Sequence, residues 1–208
     1  LIVLSRPSGI RQYREPAASL WRATHTFADL IGACSVFQEC VTFARQASQS
    51  DFPVLLTGET GTGKELFAQA IHTASPRGQG PFVAVNCGVP GDDLLAAELF
   101  GYVEGAFTGA MKGSSKGKIE LAHGGTLFLD EVEAMSPKMQ VSLLRVLEEL
   151  RVVRVGSERP VVVNIRVIAA SNEDLRAAVS QKQFRADLYH RLCVLPIQLP
   201  PLRERRED

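Results

Sequence analysis

Apolar residues along this chain come in two textures. Short unbroken runs occur at Pro53-Val54-Leu55-Leu56-Thr57, Phe82-Val83-Ala84-Val85-Asn86, Thr126-Leu127-Phe128-Leu129-Asp130, Arg166-Val167-Ile168-Ala169-Ala170-Ser171 and Val194 to Leu199. Most of them finish on a polar residue. Unbroken apolar runs of this length read as strands covered on both faces, the habit of a parallel sheet. Between the runs, apolar residues recur at helical spacing. Val36, Phe37, Cys40, Val41 and Ala44 form one such stripe, and Glu65 to Ile71 carry another. Leu94, Leu95, Leu99 and Phe100 form a third, and Met139, Leu143, Val146, Leu147 and Leu150 a fourth. Asp174 to Gln181 reads as a further helix. Ser35, Asp92 or Asp93, and Ser136 with Pro137 behind it are the expected N-caps. Arg151 to Val163 reads as a hairpin turning at Gly156-Ser157-Glu158. The pattern predicts an α/β fold with a parallel five-stranded sheet between helices.

Residues 1 to 25 lack periodicity and are punctuated by Pro7, Gly9 and Pro16. They read as a linker from an absent upstream domain, with room for a short helix around Ser19 to Arg22. From Phe27 the texture changes, and Phe27 to Gly32 reads as an ordered turn. The α/β unit is expected to span 26–208.

Composition narrows the partners. The chain has 208 residues, 45% of them hydrophobic, enough for one domain with a sizeable core. Twenty-three Lys and Arg balance 23 Asp and Glu, so there is no general electrostatic footprint for nucleic acid. The four cysteines form no metal spacing and read as reduced thiols of a cytoplasmic protein, with Cys87 and Cys193 buried. No run approaches a membrane span. His25, His72, His123 and His190 have no metal partner at helical spacing and read as packing or surface residues.

Candidate chemistry begins after the first strand. Gly58-Glu59-Thr60-Gly61-Thr62-Gly63-Lys64 has the spacing of a phosphate-cradling loop between a strand and a helix. Its glycines let backbone N–H groups approach phosphate oxygens, and the following helix N-terminus adds positive potential. Lys64 can reach the outer phosphates. Glu65 stands where a Ser or Thr hydroxyl usually meets Mg²⁺.

The run ending Asp130-Glu131 places two carboxylates at the carboxyl edge of a buried strand, where open α/β sheets bind ligands. Asp130 suits Mg²⁺ coordination through water, and Glu131 is placed to polarise an attacking water. Asn86 and Asn172 close two other strands. For Asn86 the sequence leaves open a plain strand-end turn and a polar group set at a site. Asn172 stands where it could sense a phosphate. Gly105-Ala106-Phe107-Thr108-Gly109-Ala110 is odd, because Phe107 sits among residues too small to build it a pocket. It either docks on a partner or tucks back onto its own domain. Residues 111–118 read as a flexible, mildly basic loop.

From Phe27 to Asp208 the chain resembles the AAA+ ATPase domain of bacterial sigma-54-dependent transcriptional activators. The resemblance rests on Gly58 to Glu65, Gly105 to Ala110, Gly124 to Glu131, Phe184 to Leu192 and Leu199 to Arg205. The six-residue Gly-Ala-Phe-Thr-Gly-Ala is the most specific of these, and Glu65 is also usual in that family. The resemblance implies ATP and Mg²⁺ as ligands. Gly58, Glu59, Thr60, Gly61, Thr62, Gly63, Lys64, Glu65, Ile31, Gly32 and Asn172 would bind nucleotide, and Asp130 the metal. Glu131 would be the base, Asn86 its restraint, and Arg185 and Arg191 fingers for a neighbouring subunit. Gly105 to Ala110, with Phe107 and Thr108 at the tip, would touch sigma-54. The implied partners are sigma-54, RNA polymerase and further copies in a ring, most simply a hexamer. The family's helical lid and its DNA-binding helix-turn-helix would lie beyond Asp208. Val132-Glu133-Ala134-Met135 departs from the family's usual stretch, with no expected loss of chemistry.

Overall fold

The structure, a computed structural model, describes residues 21–106, 114–205 and 208. In chain order the elements are helix α1 (Ser35–Ser48), strand β1 (Val54–Thr57), α2 (Lys64–Thr73), β2 (Phe82–Asn86), α3 (Asp92–Phe100), β3 (Gly101–Tyr102), β4 (Ser115–Lys116) and α4 (Lys118–Leu121). They continue with β5 (Thr126–Asp130), α5 (Pro137–Glu149), β6 (Arg151–Val153), β7 (Pro160–Val162), β8 (Arg166–Ser171), α6 (Leu175–Ser180), α7 (Ala186–Leu192) and β9 (Leu195–Gln198). The five apolar runs form one parallel sheet in the order β2-β5-β8-β1-β9. The predicted hairpin is present as the antiparallel pair β6–β7.

Strand alternation divides the core in two. Leu55, Val83, Val85, Leu127, Leu129, Val167 and Ala169 face α3, α5 and α7 through Leu99, Leu143 and Leu188. Val54, Leu56, Phe128, Ile168, Ala170 and Ile197 face α1 and α2 through Phe37, Phe67 and Ile71. Burying each Val, Leu, Ile or Phe among them stabilises the fold by about 1.5–3 kcal/mol. With both faces covered, the inner strands β1, β5 and β8 have no polar side to show, which is why they read as unbroken apolar runs.

Several local expectations change in three dimensions. The residue flanking α1 is Cys34, not Ser35, and it offers no side-chain cap. Asp208, from the far end of the chain, accepts the Ala33 and Cys34 N–H groups instead. Gly91 precedes α3, and Asp92, expected as a cap, accepts from the Ser136 hydroxyl at 2.7 Å. Ser136 does cap α5, with Pro137 in the first turn. Cys193 is half-buried rather than buried, while Cys87 is buried as expected. Within the stretch expected to be loose, Ser115 and Lys116 pair with Gly101 and Tyr102, and α4 starts at Lys118. That pairing needs two glycines. A Cβ on Gly101 would lie 2.4 Å from the Gly117 nitrogen, and a Cβ on Gly117 just as close to Gly101.

Ahead of α1, Trp21 lies under the Lys118 ammonium, 4.1 Å from its ring centre. The Thr24 backbone donates to Gln69 Oε1 at 2.9 Å, so these residues lie against the body of the fold.

Candidate functional site

The loop after β1 turns on two left-handed glycines, Gly61 (φ 83°) and Gly63 (φ 93°). A side chain at either would strain the backbone. Thr62 closes the turn by donating its hydroxyl to Glu59 O at 2.8 Å. α2 begins at Lys64, so its unpaired first-turn N–H groups open into this loop, the arrangement that binds anions. Lys64 is buried, and its ammonium donates to Gly58 O at 2.7 Å, Glu59 O at 3.0 Å and Asn172 Oδ1 at 2.6 Å. Burial lowers its pKa, and the charges of Asp130, Glu133 and Glu131 oppose that shift. Glu65 points along α2 and accepts from Gln69 Nε2 at 3.2 Å.

Asp130 ends β5, with Oδ1 accepting the Glu131 N–H at 3.0 Å. Burial raises its pKa, so its charge is held at a cost that a cation would relieve. Glu131 occupies the left-handed region (φ 53°), uncommon for a residue with a Cβ. The outlier falls at the junction of β5 and the 3-10 turn Val132–Ala134, and strain of this kind gathers at functional sites. Asn86 Oδ1 accepts the Gly88 N–H at 2.7 Å. A Cβ on Gly88 would sit 2.3 Å from Glu131 Oε2 and 3.0 Å from Asn86 Oδ1. Gly88 thus leaves the space in which these two side chains approach each other.

An open cleft of about 790 Å³ runs along the carboxyl edge of β1, β8 and β9, bounded by Gly58, Glu59, Asn172, Arg176, Tyr189 and Pro201. Arg203 spans the phosphate loop, donating to both Glu59 carboxylate oxygens at 2.6 Å. The Arg205 guanidinium lies 4.5 Å from the Phe37 ring centre and donates to Thr62 O at 3.4 Å. Gly32 packs on that same ring, and Ile31 beside it is 86% exposed.

Arg185 and Arg191 are not brought to this cluster. Arg185 pairs with Asp187 at 2.7 Å, and Arg191 donates to Leu147 O at 2.7 Å. Of the Gly-Ala-Phe-Thr-Gly-Ala segment, Gly105 and Ala106 are described, whereas Phe107, Thr108, Gly109 and Ala110 lie outside the described residues. The root of that segment is held by backbone bonds to the hairpin: Val103 N–H to Val155 O at 3.1 Å and Val155 N–H to Gly101 O at 2.9 Å. Arg154 adds a bidentate pair to Glu120 of α4 at 2.6 and 2.7 Å.

The sequence reading gave Glu133, Arg203 and Arg205 no role at the site. Glu133 accepts the Asn172 N–H at 2.9 Å. Its only advance signal was a third acid two residues after Glu131. The two arginines stand in a family-like stretch, but nothing local points to their partners, which lie 144 and 143 residues away.

Among the described residues no three His, Cys, Asp or Glu side chains form a metal cage. That donor set still fits Mg²⁺, which keeps most of its water and takes one or two carboxylates plus phosphate oxygens. Asp130 beside an anion-binding loop supplies that minimum.

A parallel sheet, a glycine loop opening a helix, a buried lysine at the start of that helix and an acid pair at the same carboxyl edge, one strand beyond β8, define a P-loop NTPase fold. The chain belongs to the Sigma-54 interaction domain family, whose match covers residues 30–198. It is 49% identical over 199 residues to the Nif-specific regulatory protein of Rhodobacter capsulatus, covering 96% of this chain and 33% of that protein. Among solved structures it is similar to NtrX from Brucella abortus in complex with ATP, with TM-score 0.79 and 37% identity over 86% of this chain and 38% of that one. The P-loop NTPase domain of a sigma-54 transport activator from E. coli shares the fold at TM-score 0.55 and 23% identity, over 83% of this chain and 99% of that domain. The chain spans about a third of the length of the curated relatives it matches. No helix among the described residues is long and apolar enough to cross a membrane.

Proposed function

We propose that this chain is the ATP-hydrolysing module of a cytoplasmic transcription activator that remodels sigma-54-bound RNA polymerase so that promoter DNA opens. The observation that carries the reading is the meeting of Lys64, Asn172 and the acids after β5 at one sheet edge, in a chain of the sigma-54 interaction family. The loop amides, Lys64 and Glu65's helix turn bind the phosphates, with Ile31 and Gly32 on the base side. Asp130 would hold Mg²⁺, which would neutralise charge on the phosphates. Glu131 takes the proton of the attacking water, and Asn86 restrains Glu131 across Gly88. Asn172 reports the terminal phosphate to β8. Arg185, just ahead of α7, and Arg191 within it are both exposed, and they serve the ATP of the neighbouring subunit in a ring, most simply a hexamer, which ties hydrolysis to assembly. Phe107 and Thr108 at the tip of the Gly105–Ala110 loop press on sigma-54. DNA contact belongs to a separate C-terminal domain.

The test is Thr108→Ala in the full-length protein. ATPase should stay within about twofold of wild type while open-complex formation on a sigma-54 promoter is lost, since a contact residue stabilises the partner and not the chemistry. Survival of both activities would refute the loop assignment.

A further inference from the structure

β5 pairs with β8 from Thr126↔Arg166 to Leu129↔Ala169, and β1 pairs with β8 as far as Thr57↔Ser171. Asn172 is the next residue, past both ladders. Its backbone N–H needs an acceptor from outside the sheet. Glu133 supplies it: Oε1 accepts that N–H at 2.9 Å. Glu133 stands in the 3-10 turn that Glu131 opens. One carboxylate therefore joins the turn bearing the proposed base to the strand end bearing Asn172. Asn172 in turn accepts from Lys64 through its side chain.

A filler would not be an acid here. Glu133 Oε2 is buried without a donor among the described residues. A carboxylate oxygen left so is costly, and a third negative charge near Lys64 opposes the approach of a triphosphate. What the acid offers is acceptor strength, since an ionised acceptor bonds an N–H about twice as strongly as a neutral one.

We propose that Glu133 is a positioning residue of the nucleotide site: by holding the Asn172 backbone it fixes the distance between that asparagine, Lys64 and the turn of Glu131. The inference rests on the ATP-hydrolysis reading above. Glu133 touches neither phosphate nor water in this role; it acts through Asn172.

Two variants and two readouts test it. In Glu133→Ala, kcat should fall by about 10- to 100-fold, the usual penalty for a slight misplacement of reacting groups. The ATP dissociation constant should not rise, because the loop amides and Lys64 are untouched and the charge that opposes the triphosphate is gone. Glu133→Gln retains an acceptor oxygen, so kcat should recover to within about threefold of wild type, with tighter ATP binding once the charge is gone. The second readout needs no activity. In nucleotide-free protein the Asn172 amide should exchange with solvent at least about tenfold faster in Glu133→Ala than in wild type, with Glu133→Gln in between. An unchanged kcat in Glu133→Ala, a Glu133→Gln as slow as the alanine variant, or an Asn172 amide indifferent to both changes would overturn the proposal. Wild-type protein that hydrolyses no ATP would overturn the parent reading instead. The amide exchange would still decide whether Glu133 holds that strand end.

Discussion

Lys64 Nζ donates to Asn172 Oδ1 at 2.6 Å, across 108 residues of sequence. With Gly58 O and Glu59 O, this uses all three of the ammonium's donors. Two of those acceptors are backbone carbonyls of the loop and one is a side chain able to rotate away. An arriving phosphate would therefore displace Asn172 most easily. In the proposed reading the end of β8 would then respond to whether the loop is filled.

Glu131 and Lys64 sit close enough to share a field, yet their proposed tasks differ. Glu131→Gln should leave ATP affinity within about threefold of wild type while turnover falls by about 10²- to 10⁴-fold, the usual worth of a positioned base. Equilibrium binding and phosphate release, measured side by side, check this. Unchanged hydrolysis would remove the base from the mechanism.

His72 gives the fold a pH dependence remote from the phosphate loop. Its ring is buried against Phe82 and bonds Thr126 Oγ1 at 2.8 Å, and burial pushes its pKa from 6.5 down to about 4. The unfolded chain takes up a proton between those values that the folded chain refuses. Stability from this group is complete above pH 6.5 and is lost as pH falls toward 4, by about 3 kcal/mol in all. Urea unfolding between pH 7.5 and 4.5 should show that slope in wild type and a flatter one in His72→Gln. Equal slopes would count against the assignment.

Arg166 is almost fully enclosed, 1% exposed, at the start of β8. It donates to Ala47 O at 2.8 Å and Ser48 O at 3.1 Å, two carbonyls at the end of α1. Burial pushes its pKa down to about 10, yet it remains charged at neutral pH and suits a helix C-terminus. Arg166→Met leaves those carbonyls buried without donors and should cost about 3 kcal/mol in chemical denaturation. A loss below about 0.5 kcal/mol would mean that water replaces the guanidinium at no cost.

The strands, most helices and the phosphate loop were legible because their signals are local. A strand covered on both faces must be apolar throughout, and Gly61 and Gly63 announce a turn that other residues enter only under strain. The same locality misled at α1. Ser35 looks like a cap in its own neighbourhood, but Asp208 crosses the fold to take the Ala33 and Cys34 N–H groups.

The sheet, the phosphate loop and the acids at the edge of β5 follow from periodicity or spacing within a few residues, so the order of amino acids alone settles them. Folding in three dimensions adds that Lys64 rests on Asn172, that Glu133 bonds the same strand end, and that Arg203 and Arg205 reach the loop from 144 and 143 residues away. These partners meet because β8 lies between β5 and β1 and because the segment after β9 returns over the loop. Strand order of that kind is set by how the whole chain packs, and no stretch of neighbouring residues encodes it.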